Sequence, residues 1–129
     1  MQTRIPFTSL VPAEERAVLR SAIDRVIDRG WFVLGPEVEA FEAEFAAAMG
    51  AAHAVGVGTG TDAIALILRA LGIGAGDEVI TTPLSAAYTA LAVMMTGARP
   101  VFADIDPLRL TIDPDEVLRA ISPRTRAIL

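Results

Sequence analysis

The chain of 129 residues has no cysteine and no lysine, and His53 is its only histidine. Without cysteine the sequence offers no disulfide, no thiolate nucleophile and no cysteine-ligated zinc. All 11 basic residues are arginines, so no lysine is present for a Schiff base or for a P-loop. A single histidine has no second histidine for a metal site or a triad, and we expect His53 to begin a strand.

Positive charge and long apolar runs are also scarce. The formal net charge is −5 at pH 7, and this negative charge favours neither nucleic acid nor an anionic membrane as a partner. Of all residues, 53% are hydrophobic. The apolar run from Ala63 to Leu71 is interrupted by Arg69 and is too short to span a bilayer. The N-terminal "MQTRIPFTSLVPAEE" lacks the apolar segment of a signal peptide. We therefore expect a soluble, cytoplasmic protein.

Two aspartates, Asp104 and Asp106, follow a strand-like run and could suggest a metal site. Carboxylates at the end of a strand are more often solvated loop residues, and the segment that follows lacks the glycine and the spacing of an EF-hand loop. The sequence therefore predicts no metal site.

The first 50 residues predict two helices and the loop between them. Apolar side chains repeat at helical spacing over Pro12–Arg29, and a second helix begins at Pro36 and ends near Gly50. The loop between the helices carries Trp31 and Phe32. These two aromatic side chains either pack against the second helix or belong to an interface or an active-site loop.

From residue 51 to residue 129 the pattern predicts alternating strands and helices. This order is typical of a parallel sheet with helices on both faces, here a partial one. The predicted strands are His53–Val57, Val79–Pro83, Pro100–Ile105 and Arg126–Leu129, and the predicted helices are Thr61–Leu71, Ser85–Thr96 and Asp113–Ser122. In the last helix, Asp113 and Glu116 have the spacing of a capping box. Because the final strand-like run stops at Leu129, we expect the sequence to be a truncated part of a larger α/β domain.

The Gly/Thr-rich turn in "AVGVGTGTDAIALILRALG" predicts an anion site, because the first amides of a helix lack intrahelical partners. We expect the amides of Gly60, Thr61 and Asp62 to bind a phosphate, which Gly58 allows to approach closely. The missing lysine disfavours a nucleoside triphosphate, and the G-x-G-x-G spacing disfavours a dinucleotide. A single phosphate on a larger cofactor such as pyridoxal phosphate (PLP) stays open, beside a purely structural turn with Thr61 as the N-cap.

Five motifs in order give a more specific indication: "GPEVEAFEAEFA", "GTGTDAI", "LGIGAGDEVI", "GARPVFADID" and "ISPRTRAI". From about Ile5 to Leu129 the chain resembles the DegT/DnrJ/StrS-type sugar aminotransferases, which are fold-type I PLP enzymes. The resemblance implies that the chain forms the N-terminal part of the large domain of such a transferase.

The resemblance also implies a role for the turn. In the family the PLP phosphate lies on backbone amides that correspond to Gly60, Thr61 and Asp62. An aromatic side chain after the next strand usually lies over the cofactor ring, and Tyr88 is the nearby candidate. The family places that aromatic residue a few positions earlier, near Leu84 or Ala86, so the alternative is that Tyr88 is a core residue of its helix.

By resemblance, the full-length protein is expected to transfer an amino group, typically from glutamate, to a keto group of a nucleotide-linked sugar, and to act as a homodimer. The family's Schiff-base lysine would lie beyond Leu129, so we expect no catalytic residue in this chain and no activity from it alone. A related PLP-dependent sugar dehydratase and a non-catalytic α/β phosphate-binding or interaction module are the alternatives.

Overall fold

A computed structural model of the protein describes residues 15–129. The chain divides into two compact units, of which the first ends at Gly56 and the second spans Val57–Leu129. Within residues 15–129, none of the helices combines the length and the apolar character needed to cross a membrane.

The first unit contains two helices, α1 (Arg16–Arg29) and α2 (Pro36–Ala48), which confirms the two predicted helices. The predicted beginning of the first helix at Pro12 lies outside the described residues. Gly30 ends α1 in the left-handed conformation with a φ of 66°, which a residue with a side chain rarely adopts. Proline is the first residue of α2, where its missing amide costs nothing.

An ion pair joins the two helices of the first unit. Glu37, in the first turn of α2, accepts hydrogen bonds from Arg25 at 3.3 Å and from Arg29 at 3.1 Å. The hydrogen bond from Arg25 is the main reason that the pKa of Glu37 lies below its usual value. In the loop between the helices the Trp31 indole donates to the Val33 carbonyl at 2.7 Å, while its ring is 56% exposed. The ring also lies beside the start of α2, since a Cβ atom at Gly35 would be 3.3 Å from Trp31 Cγ.

The second unit is a three-stranded parallel sheet with helices on both faces, as the sequence predicted. The strand order is β2-β1-β3, and Val79 in the central strand is level with Pro100 and Ala127 in its neighbours. The elements are α3 (Gly60–Ala70), β1 (Glu78–Thr81), α4 (Tyr88–Met95), β2 (Arg99–Phe102), α5 (Pro114–Ala120) and β3 (Thr125–Ile128).

The core of this unit lies on the two faces of β1, whose four residues are all buried. Val79 packs on one face with Leu68 of α3 and Val93 of α4. Ile80, the next residue, packs on the other face with Val117 of α5. Successive side chains of a strand point to opposite faces. Val79 and Ile80 therefore pack against a different helical layer on each side of the sheet.

The predicted strand at His53–Val57 is wrong, because this segment is not paired with any strand among residues 15–129. A strand is stable only when a neighbour accepts its backbone hydrogen bonds. Here the Gly56 amide instead donates to the Glu42 carboxylate of α2 at 2.6 Å. Among the described residues the sheet therefore has three strands instead of the predicted four. The strand at the end of the chain is the third.

The start of α4 differs from the prediction, whereas that of α5 agrees with it. Helix α4 begins at Tyr88 rather than at Ser85, because the residues after Pro83 form turns in which the Leu84 amide donates to the Thr82 hydroxyl. Asp113 caps α5 as predicted and accepts from the Asp115 amide at 2.8 Å. The reciprocal half of the capping box is absent from the described contacts, since the side chain at position 116 pairs with an arginine one turn further along α5.

Glu78, the first residue of β1, is the feature of the core that the sequence did not reveal. Only 2% of it is exposed, yet its carboxylate accepts from Ser122 Oγ at 2.6 Å, from Arg99 Nη2 at 2.5 Å and from Arg124 Nε at 2.8 Å. Arg99 begins β2, and Ser122 and Arg124 immediately precede β3. One carboxylate thus holds together the amino ends of all three strands.

These hydrogen bonds, with that from Ser122 the largest contribution and those from Arg99 and Arg124 next, lower the pKa of Glu78 from 4.5 to about 2. Because the pKa in the folded state is lower than the ordinary value, ionised Glu78 stabilises the fold above about pH 4.5. That stabilisation is lost progressively as the pH falls through about 2.

We expect Glu78→Gln to lower the urea midpoint of the protein at neutral pH, since the arginines then surround a neutral amide. The difference from wild type should shrink as the pH falls from 4.5 towards 2. Urea denaturation across this pH range measures both effects. Glu116→Gln, at an exposed ion pair, is the control and should change the midpoint far less. Equal midpoints for E78Q and wild type at neutral pH would contradict the assignment.

Candidate functional site

The carboxyl edge of the parallel sheet brings the predicted site residues of the second unit to one side of the molecule. Helix α3 ends a short turn before β1 begins and packs on the face of β1, so the start of α3 lies towards the edge where β1 ends. Helix α4 follows β1 and begins at the same edge. In open α/β sheets this edge is where ligands bind. The fold therefore places Gly60 and Tyr88, the first residues of the two helices, on the same side of the sheet.

Thr59, and not Thr61, is the N-cap of α3. Its backbone is extended, with φ −148° and ψ 157°, and its hydroxyl accepts from the Asp62 amide at 3.1 Å. The expectation that Thr61 caps the helix is therefore wrong, because a capping side chain must precede the first helical residue to reach the amide three positions ahead. Thr61 lies inside the first turn.

The three predicted phosphate donors are consequently not equivalent. The Asp62 amide already has a partner in the Thr59 hydroxyl. Within the part of the chain that the structure describes, the amides of Gly60 and Thr61 have no acceptor, as expected for the first residues of a helix. Two free N–H groups and the positive end of the α3 dipole thus face the carboxyl edge.

The glycines of the turn have different surroundings. A Cβ atom at Gly60 would meet no heavy atom within 4 Å, so the space in front of the first helical residue is open. At Gly56 a Cβ atom would lie 3.3 Å from Glu42 Oε1, which also accepts the Gly56 amide. Gly60 therefore leaves room for a ligand, whereas Gly56 allows close contact with α2.

Asp62 carries the only charge in the first turn of α3. Its Oδ2 accepts from the Thr59 hydroxyl at 2.8 Å and lies 3.9 Å from the position of a Cβ atom at Gly58. The carboxylate is therefore folded back over the glycine turn, where it partly neutralises the helix dipole.

Tyr88 is 64% exposed and takes no part in the core of the described residues. A cleft of about 240 Å³ opens beside it at the carboxyl ends of β1 and β2. Thr82, Ala86 and Phe102 line this cleft, and Tyr88 does not. The phenol ring is accessible to a ligand at the start of α4 without filling the cleft.

The other sequence candidates have local roles. Asp104 accepts from the Ile105 amide, and Asp106 accepts from the amides of Leu108 and Arg109, so both aspartates stabilise the loop after β2. Across residues 15–129, no three histidine or acidic side chains lie together in a way that could hold a metal ion. His53 is exposed in the segment before α3.

Comparison with known proteins assigns the chain to a family. The sequence profile of the DegT/DnrJ/EryC1/StrS aminotransferase family matches residues 13–129. The chain is 52% identical over 128 residues to the dTDP-3-amino-3,4,6-trideoxy-alpha-D-glucose transaminase of Streptomyces venezuelae. This match covers 98% of the chain and 34% of that relative. The chain belongs to the DegT/DnrJ/EryC1/StrS aminotransferase family and spans about a third of the length of this relative.

Solved structures agree with this assignment. The crystal structure of S. venezuelae DesV in complex with a ketimine intermediate is 52% identical in sequence, with a TM-score of 0.83 over 89% of this chain and 31% of that one. The structure of NtdA from Bacillus subtilis with bound cofactor PMP is 34% identical, with a TM-score of 0.88 over 99% of this chain and 30% of that one. The fold is that of part of a fold-type I aminotransferase, as the motifs implied.

We expect Thr59→Val to lower the free energy of unfolding by about 1 kcal/mol, because the Asp62 amide loses its cap. Thr59→Ser keeps the hydroxyl and should change it by a few tenths at most, roughly. Urea denaturation of the ligand-free protein compares the two variants. A valine variant as stable as wild type would show that the Thr59 hydroxyl does not stabilise the start of α3.

Proposed function

We propose that the protein carrying this chain is a PLP-dependent aminotransferase that moves an amino group from glutamate to a keto group of a nucleotide-linked sugar. The observation that carries this proposal is the 52% identity, over 98% of the chain, to a transaminase named for a dTDP-linked amino sugar. Within that enzyme, residues 57–129 would supply the part of the site that holds the cofactor phosphate.

The first turn of α3 fits a phosphate. The free amides of Gly60 and Thr61 would donate to its oxygens, and the open space at Gly60 would admit it. The Thr61 side chain adds a hydroxyl donor in the same turn. The Asp62 amide would take part only if it gave up or shared its bond with Thr59. We thus assign the phosphate contact chiefly to Gly60 and Thr61, with Asp62 as the third residue of the turn.

Tyr88 is the residue we propose for the aromatic contact with the cofactor ring. It begins α4 at the same edge of the sheet as Gly60, and 64% of it is free to meet a ligand. An accessible aromatic side chain can contact a planar ring in an offset-stacked or edge-to-face arrangement.

The chain's own residues position the cofactor and do not move protons. When bound, PLP supplies the carbonyl and the electron-withdrawing ring through which an amino group passes between donor and acceptor. The sequence has no lysine, so the nucleophilic amine that the reaction requires would come from outside residues 1–129. We accordingly propose that the chain alone is inactive.

A homodimer in the cytoplasm is the proposed setting. Large apolar side chains of α1 are exposed, with Val18 at 71%, Ile23 at 58% and Ile27 at 57%. Apolar stripes of this kind on a helix face usually mark surfaces that another element or another molecule covers. The small-molecule partners would be the nucleotide-linked sugar and the amino donor.

We expect Gly60→Asp to weaken binding of pyridoxamine phosphate to the cofactor-free whole protein by roughly tenfold or more, since a carboxylate then opposes the phosphate. Gly60→Asn is the matched control, because its side chain has the shape of aspartate without the charge, and it should lose less affinity than Gly60→Asp. Isothermal titration calorimetry measures both affinities. Pyridoxamine phosphate is the suitable probe because it forms no Schiff base with a lysine. If G60D binds as wild type does, the phosphate does not lie at the start of α3.

The reaction itself is tested on the whole protein with PLP, glutamate and a dTDP-linked keto sugar. We expect formation of the amino sugar together with an equal amount of 2-oxoglutarate, detected by mass spectrometry. The chain of residues 1–129 serves as the comparison and should form neither product. A whole protein that binds PLP but consumes no glutamate with any nucleotide-linked keto sugar would refute the proposed activity.

A further inference from the structure

The first turn of α3 contains a carboxylate where the proposed function requires an anion to bind. The Thr59 hydroxyl accepts from the Asp62 amide at 3.1 Å and donates to Asp62 Oδ2 at 2.8 Å. A hydroxyl has one proton to donate, so the proton of Thr59 is committed to the Asp62 carboxylate. Thr59 cannot at the same time donate to a phosphate.

The position of the carboxylate adds an electrostatic effect. Asp62 Oδ2 lies 3.9 Å from a Cβ atom built at Gly58, so its charge lies beside the turn that leads to the free amides of Gly60 and Thr61. A negative side chain in the first turn already offsets part of the helix dipole. A phosphate that approaches the same amides meets a like charge in addition.

We propose that Asp62 weakens the hold of α3 on the cofactor phosphate, both by its charge and by occupying the Thr59 hydroxyl. This inference rests on the proposed function and concerns the same site. Asp62 thereby sets the phosphate affinity below what the free amides and the helix dipole alone would give. In this role it is a tuning residue and not a ligand.

Asp62→Asn separates charge from shape. The asparagine carbonyl oxygen can still accept the Thr59 hydroxyl, and the backbone amide at position 62 is unchanged, so the cap of α3 is retained. We expect cofactor-free D62N whole protein to bind pyridoxamine phosphate about 3- to 10-fold more tightly than wild type at low salt. The gain should shrink as the ionic strength rises, because salt screens exposed charges. A purely structural role would not produce this dependence on salt.

Calorimetric titration with pyridoxamine phosphate, and separately with inorganic phosphate, measures the effect at low and at high salt. Glu39→Gln is the control, because it removes an exposed carboxylate from the first turn of α2 and should leave the affinity unchanged. Asp62→Ser, which also removes the charge, provides a second variant if D62N folds poorly. Equal or weaker binding by the charge-free variants, or a gain independent of salt, would overturn the inference.

The Gly60→Asp variant distinguishes this result from failure of the proposed function. If G60D loses affinity while D62N gains none, the phosphate lies at α3 and only the role of Asp62 is wrong. If neither variant changes the affinity, the phosphate is held elsewhere, and the inference fails together with the proposed site.

Discussion

The arrangement of the second unit depends on the complete burial of β1. A parallel strand between two neighbours must have all its backbone groups paired and both faces covered. Val79 and Ile80 meet the second condition by packing against different helical layers. Glu78 resolves the remaining difficulty: a charge at the start of a buried strand is tolerated only when donors surround it, and the hydroxyl and two guanidinium groups around it come from both neighbouring strand ends.

The residues that stabilise the sheet and the residues proposed to contact a ligand therefore lie at opposite edges of it. The Glu78 cluster lies at the amino edge of the sheet, where β1 begins, and the helices that carry the candidate ligand contacts begin at the carboxyl edge, where β1 ends. Loops and helix starts at the carboxyl edge can change to suit a ligand without disturbing the ion pairs that align the strands. This division explains how the same edge can serve enzymes with different substrates.

Much of this architecture was predictable from the sequence, because it rests on local signals. Apolar periodicity, Pro36, Pro114 and the glycines after helices fix where helices begin and end. The strand predicted at His53–Val57 failed because pairing is not a local property, and the segment has no neighbour among the described residues. Glu78 was overlooked for the same reason, since its donors lie 21 to 46 positions further along the chain.

The candidate site shows a similar limit on a smaller scale. Residue types and spacing predicted a helix start with free amides, and the structure has one. They did not predict which donors were already in use, because that depends on whether Thr59 or Thr61 adopts the extended backbone of an N-cap. Once Thr59 takes that position, its hydroxyl binds both the amide and the carboxylate of Asp62. Hydrogen-bond stoichiometry then leaves three donors at the start of α3: two backbone amides and the Thr61 hydroxyl. The negative charge of Asp62 lies beside them.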